Sequence, residues 1–281
     1  MRKSITQQKP LLVIVGATGT GKSALAVTLA KALKGEVVSA DSRQVYRGVD
    51  IGTGKLTKRE MRGIPHHLLD VASLKRTYTA HQYQRDARHA IRAIWRRGKL
   101  PILCGGTGLY VRAVVDGVVF PEVPPNVNLR ARLEKKTVPE LYRLLVRKDP
   151  RRAKEIDRNN PRRLIRALEI ADMLGKVPML HAKPIDAFVL MLGTMLPKQE
   201  LERRTRARIN LWLRRGLLKE SKKVPATRVH ELGIVYQWAS RLAYKEISRA
   251  GFIEGLTHDL MRYVKRQETW FRKDTRIVWL K

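Results

Sequence analysis

Leu11–Val15 is a run of five apolar residues, and such a run predicts a short central strand buried on both faces of a parallel sheet. Glycines break it at Gly16, and Ala24–Leu33 then reads as a helix with Leu25, Leu29 and Leu33 along one face. Glu36–Ala40 is a second strand, ending at Asp41. A long helix follows from Thr79 to about Arg97, opened by Thr79 with Gln82 three residues on and stopped at Gly98. Pro101–Cys104 is the next strand, closed by Gly105–Gly108. Beyond Gly117 the pattern changes: prolines at 121, 124 and 125 give way to helical segments from about Asn128 to Leu174. Asp186–Gly193 reads as a strand returning to the sheet, and Ile277–Leu280 as a last one in a mostly helical remainder. The expected architecture is an α/β core of residues 1–117 resumed at 186–281, with a helical insertion at 118–185. No internal repeat and no low-complexity tract interrupts this order.

Composition narrows the function classes. Apolar residues make up 43 % of the 281, enough for a real core. No run is long enough to span a membrane, and Leu11–Val15 is too short for a signal-peptide core. The single cysteine, Cys104, excludes an internal disulfide framework and suits a reducing cytoplasm. The 58 Lys and Arg against 25 Asp and Glu give a net charge of +33, which implies a polyanionic partner, nucleic acid before an anionic membrane surface.

The strongest local signal is Gly16-Ala17-Thr18-Gly19-Thr20-Gly21-Lys22-Ser23, which matches G-x-x-x-x-G-K-[ST] between a predicted strand and a predicted helix. Glycines let successive N–H groups turn toward phosphate oxygens, and the helix adds its positive end. Lys22 adds a mobile charge, and the Ser23 hydroxyl suits Mg²⁺. The reading is therefore a P-loop NTPase-like core. The motif names the anion and leaves the reaction open, because the strand Pro101–Cys104 ends in Gly105-Gly106 where an NTPase carries a metal-binding aspartate.

Asp41 ends a strand in the same crevice and reads equally as a general base or as a turn aspartate; Thr107 reads as a presented hydroxyl or as a turn residue. Adjacent His66 and His67 lack a third ligand at metal spacing, and Cys104 reads as a packed small hydrophobe. Basic residues cluster in Arg147–Arg166, in Leu201–Lys223, and around Trp270-Phe271, where Lys265-Arg266 and Arg272-Lys273 bracket the aromatics. Cations interleaved with aromatics suit RNA phosphates and unstacked bases.

On seven blocks taken together the chain resembles the tRNA dimethylallyltransferases: GATGTGKS (16–23), SADSRQVYRGVDIGTGK (39–55), IPHHLLD (64–70), YTAHQYQRDA (78–87), PILCGGTGLY (101–110), DPRRAKEIDRNNPRRLIRALEI (149–170) and KRQETWFR (265–272). The resemblance implies transfer of a dimethylallyl group from dimethylallyl diphosphate to N6 of adenosine 37 beside the anticodon, by a cytoplasmic monomer that binds the tRNA anticodon stem-loop and no membrane. It implies that Gly16 and Thr18, Gly19, Thr20, Gly21, Lys22 and Ser23 hold the diphosphate, with Mg²⁺ near Ser23. It further implies that Arg208 approaches the diphosphate and that Asp41 takes the N6 proton, with Thr107 beside them. It gives tRNA contacts to Asp41, Ser42, Arg43, Gln44, Thr107, Arg130, Arg162, Arg163, Leu164, Ile165, Arg166, Lys265, Arg266 and Gln267, and makes the insertion a mobile clasp. Ala17 stands where the family has proline, Ala243 where it has glycine and Lys198 where it has arginine. Three other functions share parts of this pattern: prenylation of a free adenine nucleotide, an RNA-stimulated NTPase, and an RNA-binding protein with an unused loop.

Overall fold

The computed structural model describes residues 8–280. Strands β1 (Pro10–Gly16), β2 (Gly35–Ser39), β3 (His66–His67), β4 (Leu100–Gly105), β5 (Phe188–Thr194) and β6 (Ile277–Leu280) form one parallel sheet in the order β3-β2-β4-β1-β5-β6. β1 is central, with Leu12 level with Ile102 of β4 and Leu190 of β5. Its unbroken apolar run is explained by burial on both sides. Leu11, Val13 and Val15 join the larger core with Val38, Leu103 and Met191, while Leu12 and Ile14 face Ala26, Ala30 and Ile102.

The first helix, Lys22–Ala32, lies on the Leu12–Ile14 side, and its buried residues are Ala26, Val27 and Ala30 rather than the leucine stripe. Leu25 and Leu29 are half-buried, and Leu33, one residue past the last turn, is 51 % exposed. A helix lying close on a sheet turns its small side chains inward and leaves the large ones to flank the contact. The Ala80–Arg96 helix starts as the spacing predicts: Thr79 Oγ1 accepts from Gln82 N, and Gln82 Oε1 accepts from Thr79 N.

The two-residue strand β3 has no counterpart in the sequence reading. It brings His67 to Glu36, a carboxylate 3 % exposed on β2. Burial pushes the Glu36 carboxyl up, but hydrogen bonds from Arg97 (2.6 Å), His67 (2.7 Å) and Lys99 (3.1 Å) outweigh it and hold the pKa at about 2. A depressed carboxylate stabilises the fold above its unfolded pKa and loses that stabilisation as the pH falls through the folded one. Glu36→Gln is therefore expected to lower the unfolding free energy by about 3 kcal/mol at neutral pH. In urea melts the two proteins should converge as the pH approaches 2; a constant gap down to that pH would refute the assignment.

By contacts the chain divides into two compact units, one made of the segments up to Gly117 and from Pro184 on, the other of Val118–Lys183. The second unit carries the helices Val127–Leu133, Val138–Lys148, Pro150–Glu155 and Pro161–Leu174 around Leu133, Leu141, Leu145, Leu164 and Leu168. Its buried Glu169 accepts from Arg130 Nε and Nη2 at 2.7 Å each, and from Asn126 N at 2.9 Å. Among the described residues, no helix is long and apolar enough to cross a membrane.

Candidate active site

All six strands run the same way, so their carboxyl ends share one rim. The chain leaves β1 toward β2 and leaves β4 toward β5 on the other side, which opens a crevice between the ends of β1 and β4. The phosphate loop fills one wall. Gly21 sits at φ 88°, a left-handed turn that glycine adopts without strain, and it starts the Lys22–Ala32 helix with no side-chain cap and no acid in the first turn. The N–H groups of Gly19, Gly21, Lys22 and Ser23 have no acceptor among the described residues. Other loop groups are committed to its shape. Thr18 N donates to Gln267 Oε1 at 2.9 Å, and the Thr20 hydroxyl donates to Ala17 O at 2.8 Å while meeting the Thr194 hydroxyl at 2.7 Å. The Thr20 hydroxyl therefore belongs to the loop's frame and is not offered to an anion.

Two cations face the open donors. Burial lowers the Lys22 pKa, and its Nζ rests on Ala17 O at 3.1 Å. The Arg208 guanidinium lies beside Gly19 and 5.0 Å over the Trp212 ring, and burial pushes its pKa down to about 10. Its Nε and Nη2 are buried with no hydrogen-bond partner. An unpaired buried donor carries a desolvation penalty of about 1–3 kcal/mol, more when charged. Converging unpaired donors of one sign are what a site for a multiply charged anion looks like when built ahead of its ligand.

Asp41 stands at the end of β2 in the same crevice, near enough to influence the ionisation of Lys22, Tyr110 and Tyr263. The turn reading of it is borne out, and one carboxylate oxygen is left open. Oδ1 accepts from Arg43 N at 2.8 Å and Gln44 N at 3.4 Å, as a turn aspartate does, and Oδ2 has no partner among the described residues. The Thr107 hydroxyl does not cap its own helix; it accepts from Ser42 N at 3.0 Å and ties the β4 end to the Asp41 turn. A Cβ on Gly105 would overlap the Ala40 carbonyl, so glycine is required where these two strand ends meet. Below them Tyr83 and Tyr110 stack at 3.7 Å, and the Tyr83 hydroxyl donates to Ser39 O at 2.9 Å. Gln44 donates to the carbonyls of Thr53 and Gly54. That loop is fixed by Glu220, whose carboxylate accepts from the N–H groups of Asp50, Ile51 and Gly52 at 2.8–2.9 Å and from the Tyr236 hydroxyl at 2.6 Å.

Several residues expected to contact RNA have structural roles inside the fold. Leu164 and Ile165 are buried in the core of the second unit, so their side chains support the segment from within. Arg162 and Arg163 of the same segment are exposed, while Arg166 donates to Val123 O and Glu169, and Arg130 is committed to Glu169. Gln267 is 7 % exposed; its amide bridges Thr18 N and Gly106 O and so clamps the phosphate loop to the end of β4. Phe271 is buried and Trp270 packs against Gly108, so neither forms a base-stacking platform, while Lys265 and Arg266 are exposed beside them. Cys104 is buried, and burial raises its pKa to about 11, as befits a packed hydrophobe. Ala243 ends the Ile234–Ala243 helix, where a methyl group is accommodated. Reading the sequence missed the clamp of Gln267 and the bracing by Tyr83, Glu220 and Tyr236; their partners lie tens to hundreds of positions away and leave no local pattern.

A family model described as IPP transferase matches residues 44–274. The chain is 40 % identical over 286 residues to a tRNA dimethylallyltransferase of Thermomicrobium roseum, covering 98 % of this chain and 87 % of that protein. It is 40 % identical to another of the same name from Kocuria rhizophila, covering 96 % and 89 %. The fold matches the full-length tRNA isopentenylpyrophosphate transferase of Bacillus halodurans with a TM-score of 0.71 at 35 % identity, over 98 % of this chain and 90 % of that one. A eukaryotic dimethylallyltransferase solved acting on tRNA matches with a TM-score of 0.78 at 28 % identity, over 97 % and 73 %.

Proposed function

The chain belongs to the IPP transferase family, and from that premise we propose that it is a tRNA dimethylallyltransferase, moving the dimethylallyl group of dimethylallyl diphosphate onto N6 of adenosine 37 and releasing diphosphate. One observation carries the reading: the unpaired Arg208 guanidinium and the open phosphate-loop N–H groups face the same crevice as a carboxylate with a free oxygen. The anion site and the proton acceptor are then two walls of one cleft.

The bond from the allylic carbon to the diphosphate oxygen breaks, and the leaving oxygen keeps the electron pair. Charge grows there, where Lys22, Arg208 and the N–H groups of Gly19 and Gly21–Ser23 neutralise it without reorganising. The N6 lone pair forms the new bond to that carbon. As it does so the N6 proton becomes acidic and passes to Asp41 Oδ2, while Oδ1 keeps the turn in place. Thr107 acts through Ser42, holding the turn. The adenine must leave its stack to enter, which costs least in a single-stranded loop.

The donor set fits a magnesium ion carried in by the diphosphate. The Ser23 hydroxyl is a hard oxygen at the loop, and no group of three or more His, Cys, Asp or Glu among the described residues offers a dedicated metal cage. Such an ion supplies further charge neutralisation to the leaving group. Within the unit Val118–Lys183, Arg162 and Arg163 suit the RNA backbone; within the first unit, Lys265, Arg266 and Arg43 do. The tRNA substrate and the buried, unpaired cysteine support a cytoplasmic setting.

Mass spectrometry of an anticodon stem-loop bearing adenosine 37, incubated with protein, Mg²⁺ and dimethylallyl diphosphate, tests this. The adenine is expected to gain one dimethylallyl group, and AMP or ATP offered in competition should remain unmodified. A folded preparation that transfers nothing, or that prefers the free nucleotide, would overturn the assignment.

A further inference from the structure

The net charge of +33 exceeds what the crevice employs, and part of the surplus is gathered on one face of the first unit. Arg214, Arg215, Lys219, Lys222 and Lys223 are exposed at the end of the Lys198–Arg214 helix and along the Leu217–Ser221 helix. Lys58, Arg59 and Arg62 are exposed on the short helix Lys58–Met61 and its cap. The two segments are packed together. Glu220 accepts three N–H groups of the 50–52 loop, Trp212 lies against Gly54, and Arg215 is near enough to Glu60 to help lower its pKa.

None of these eight cations has an ion pair among the described residues, because the neighbouring acids have other partners. Glu220 is turned inward. Asp50 and Asp70 both pair with Lys55, and Glu60 caps Thr57 through its N–H and hydroxyl. Eight unpaired cations against three exposed acids that already have partners leave a strongly positive face. It adjoins the Asp41 turn, since Gln44 binds the carbonyls of Thr53 and Gly54 in the loop that joins the two. A membrane surface fits it poorly: the exposed large apolar residues all lie outside these segments, and an interfacial helix needs such anchors. A phosphate backbone asks only for positive charge.

We propose that this face holds phosphates of the substrate tRNA outside the anticodon arm, so that the enzyme grips more of the tRNA than the arm it modifies. The inference rests on the tRNA reading above. Its test is the triple variant Lys219→Gln/Lys222→Gln/Lys223→Gln, compared with the native chain on full-length tRNA and on the isolated anticodon hairpin. Removing three phosphate contacts should flatten the log–log salt dependence of full-length tRNA binding by about 2–3 and weaken binding about tenfold or more near 0.1 M salt. Hairpin affinity and the rate of transfer to the hairpin should stay unchanged, as should the melting temperature, because the three side chains are exposed and unpaired.

Lys58→Gln/Arg59→Gln/Arg62→Gln should act in the same direction and add to the first triple. An unchanged salt slope on full-length tRNA would overturn the proposal. So would an equal loss on the hairpin, which would put the face on the anticodon arm itself. Loss of binding to phosphatidylserine vesicles with tRNA binding intact would overturn it in favour of a membrane surface. Transfer by the native chain to the hairpin checks the enzymatic reading separately, so the two can fail independently.

Discussion

Asp41→Asn slows dimethylallyl transfer by about 100- to 10,000-fold and leaves hairpin affinity within about threefold, if the free carboxylate oxygen is the proton acceptor. The structure selects asparagine for this test. Its carbonyl oxygen still accepts from Arg43 N and Gln44 N, so the turn survives while the base is lost. Asp41→Ala removes both functions and should add a rise in KM for the RNA, because the Ser42–Gln44 segment loses its anchor. Single-turnover rates with separately measured affinities distinguish the two effects. An Asn variant within tenfold of the native rate would leave Asp41 a turn residue only.

Arg208→Met should reduce transfer by about 100- to 1,000-fold, the usual effect of deleting one donor at a developing negative charge. The same change should raise the melting temperature of the ligand-free protein. Two opposed terms decide this. The stacking of Arg208 on Trp212 stabilises by about 0.5–2 kcal/mol, and methionine keeps part of that packing. The two buried, unpaired nitrogens cost about 1–3 kcal/mol each, so their removal wins. Added diphosphate should reverse the order, since it stabilises only a chain that binds it. A melting scan with and without diphosphate reads both effects. A variant that melts lower without ligand, or that transfers at the native rate, would remove Arg208 from the anion site.

Much of the frame is legible in the sequence because its signals are local. Thr79 and Gln82 are three residues apart, the phosphate loop is one octapeptide, and the burial of β1 follows from its unbroken apolar run. The Lys22–Ala32 helix forms where the pattern places it, but periodicity finds an apolar stripe without saying how close the sheet comes; alanines take the contact when it comes very close. Glu36 reads as one charged residue in a strand, and its partners, at 67, 97 and 99, meet only once β2, β3 and β4 are laid side by side. Carrying over whole blocks from the family resemblance took in buried side chains along with exposed ones. Leu164 and Ile165 lie on a helix whose apolar positions already point inward, and Leu168, one turn further, carries that signal. Gln267 left no such signal, because an amide suits an exposed face as well as a buried clamp.

The tetrapeptide Gly-Thr-Gly-Lys stands at 19–22 and again at 52–55. In the first copy the N–H groups of Gly19, Gly21 and Lys22 are open and a guanidinium lies unpaired beside them; in the second, Glu220 already occupies the donors leading into it. The protein thus carries its own resident anion at one copy and keeps the other for a visitor. Whether such a stretch is a receptor or a rivet is decided by a carboxylate some 170 positions away. The bare tetrapeptide reads alike at both places, and only the first has Gly16 ahead of it and Ser23 behind it to complete a receptor.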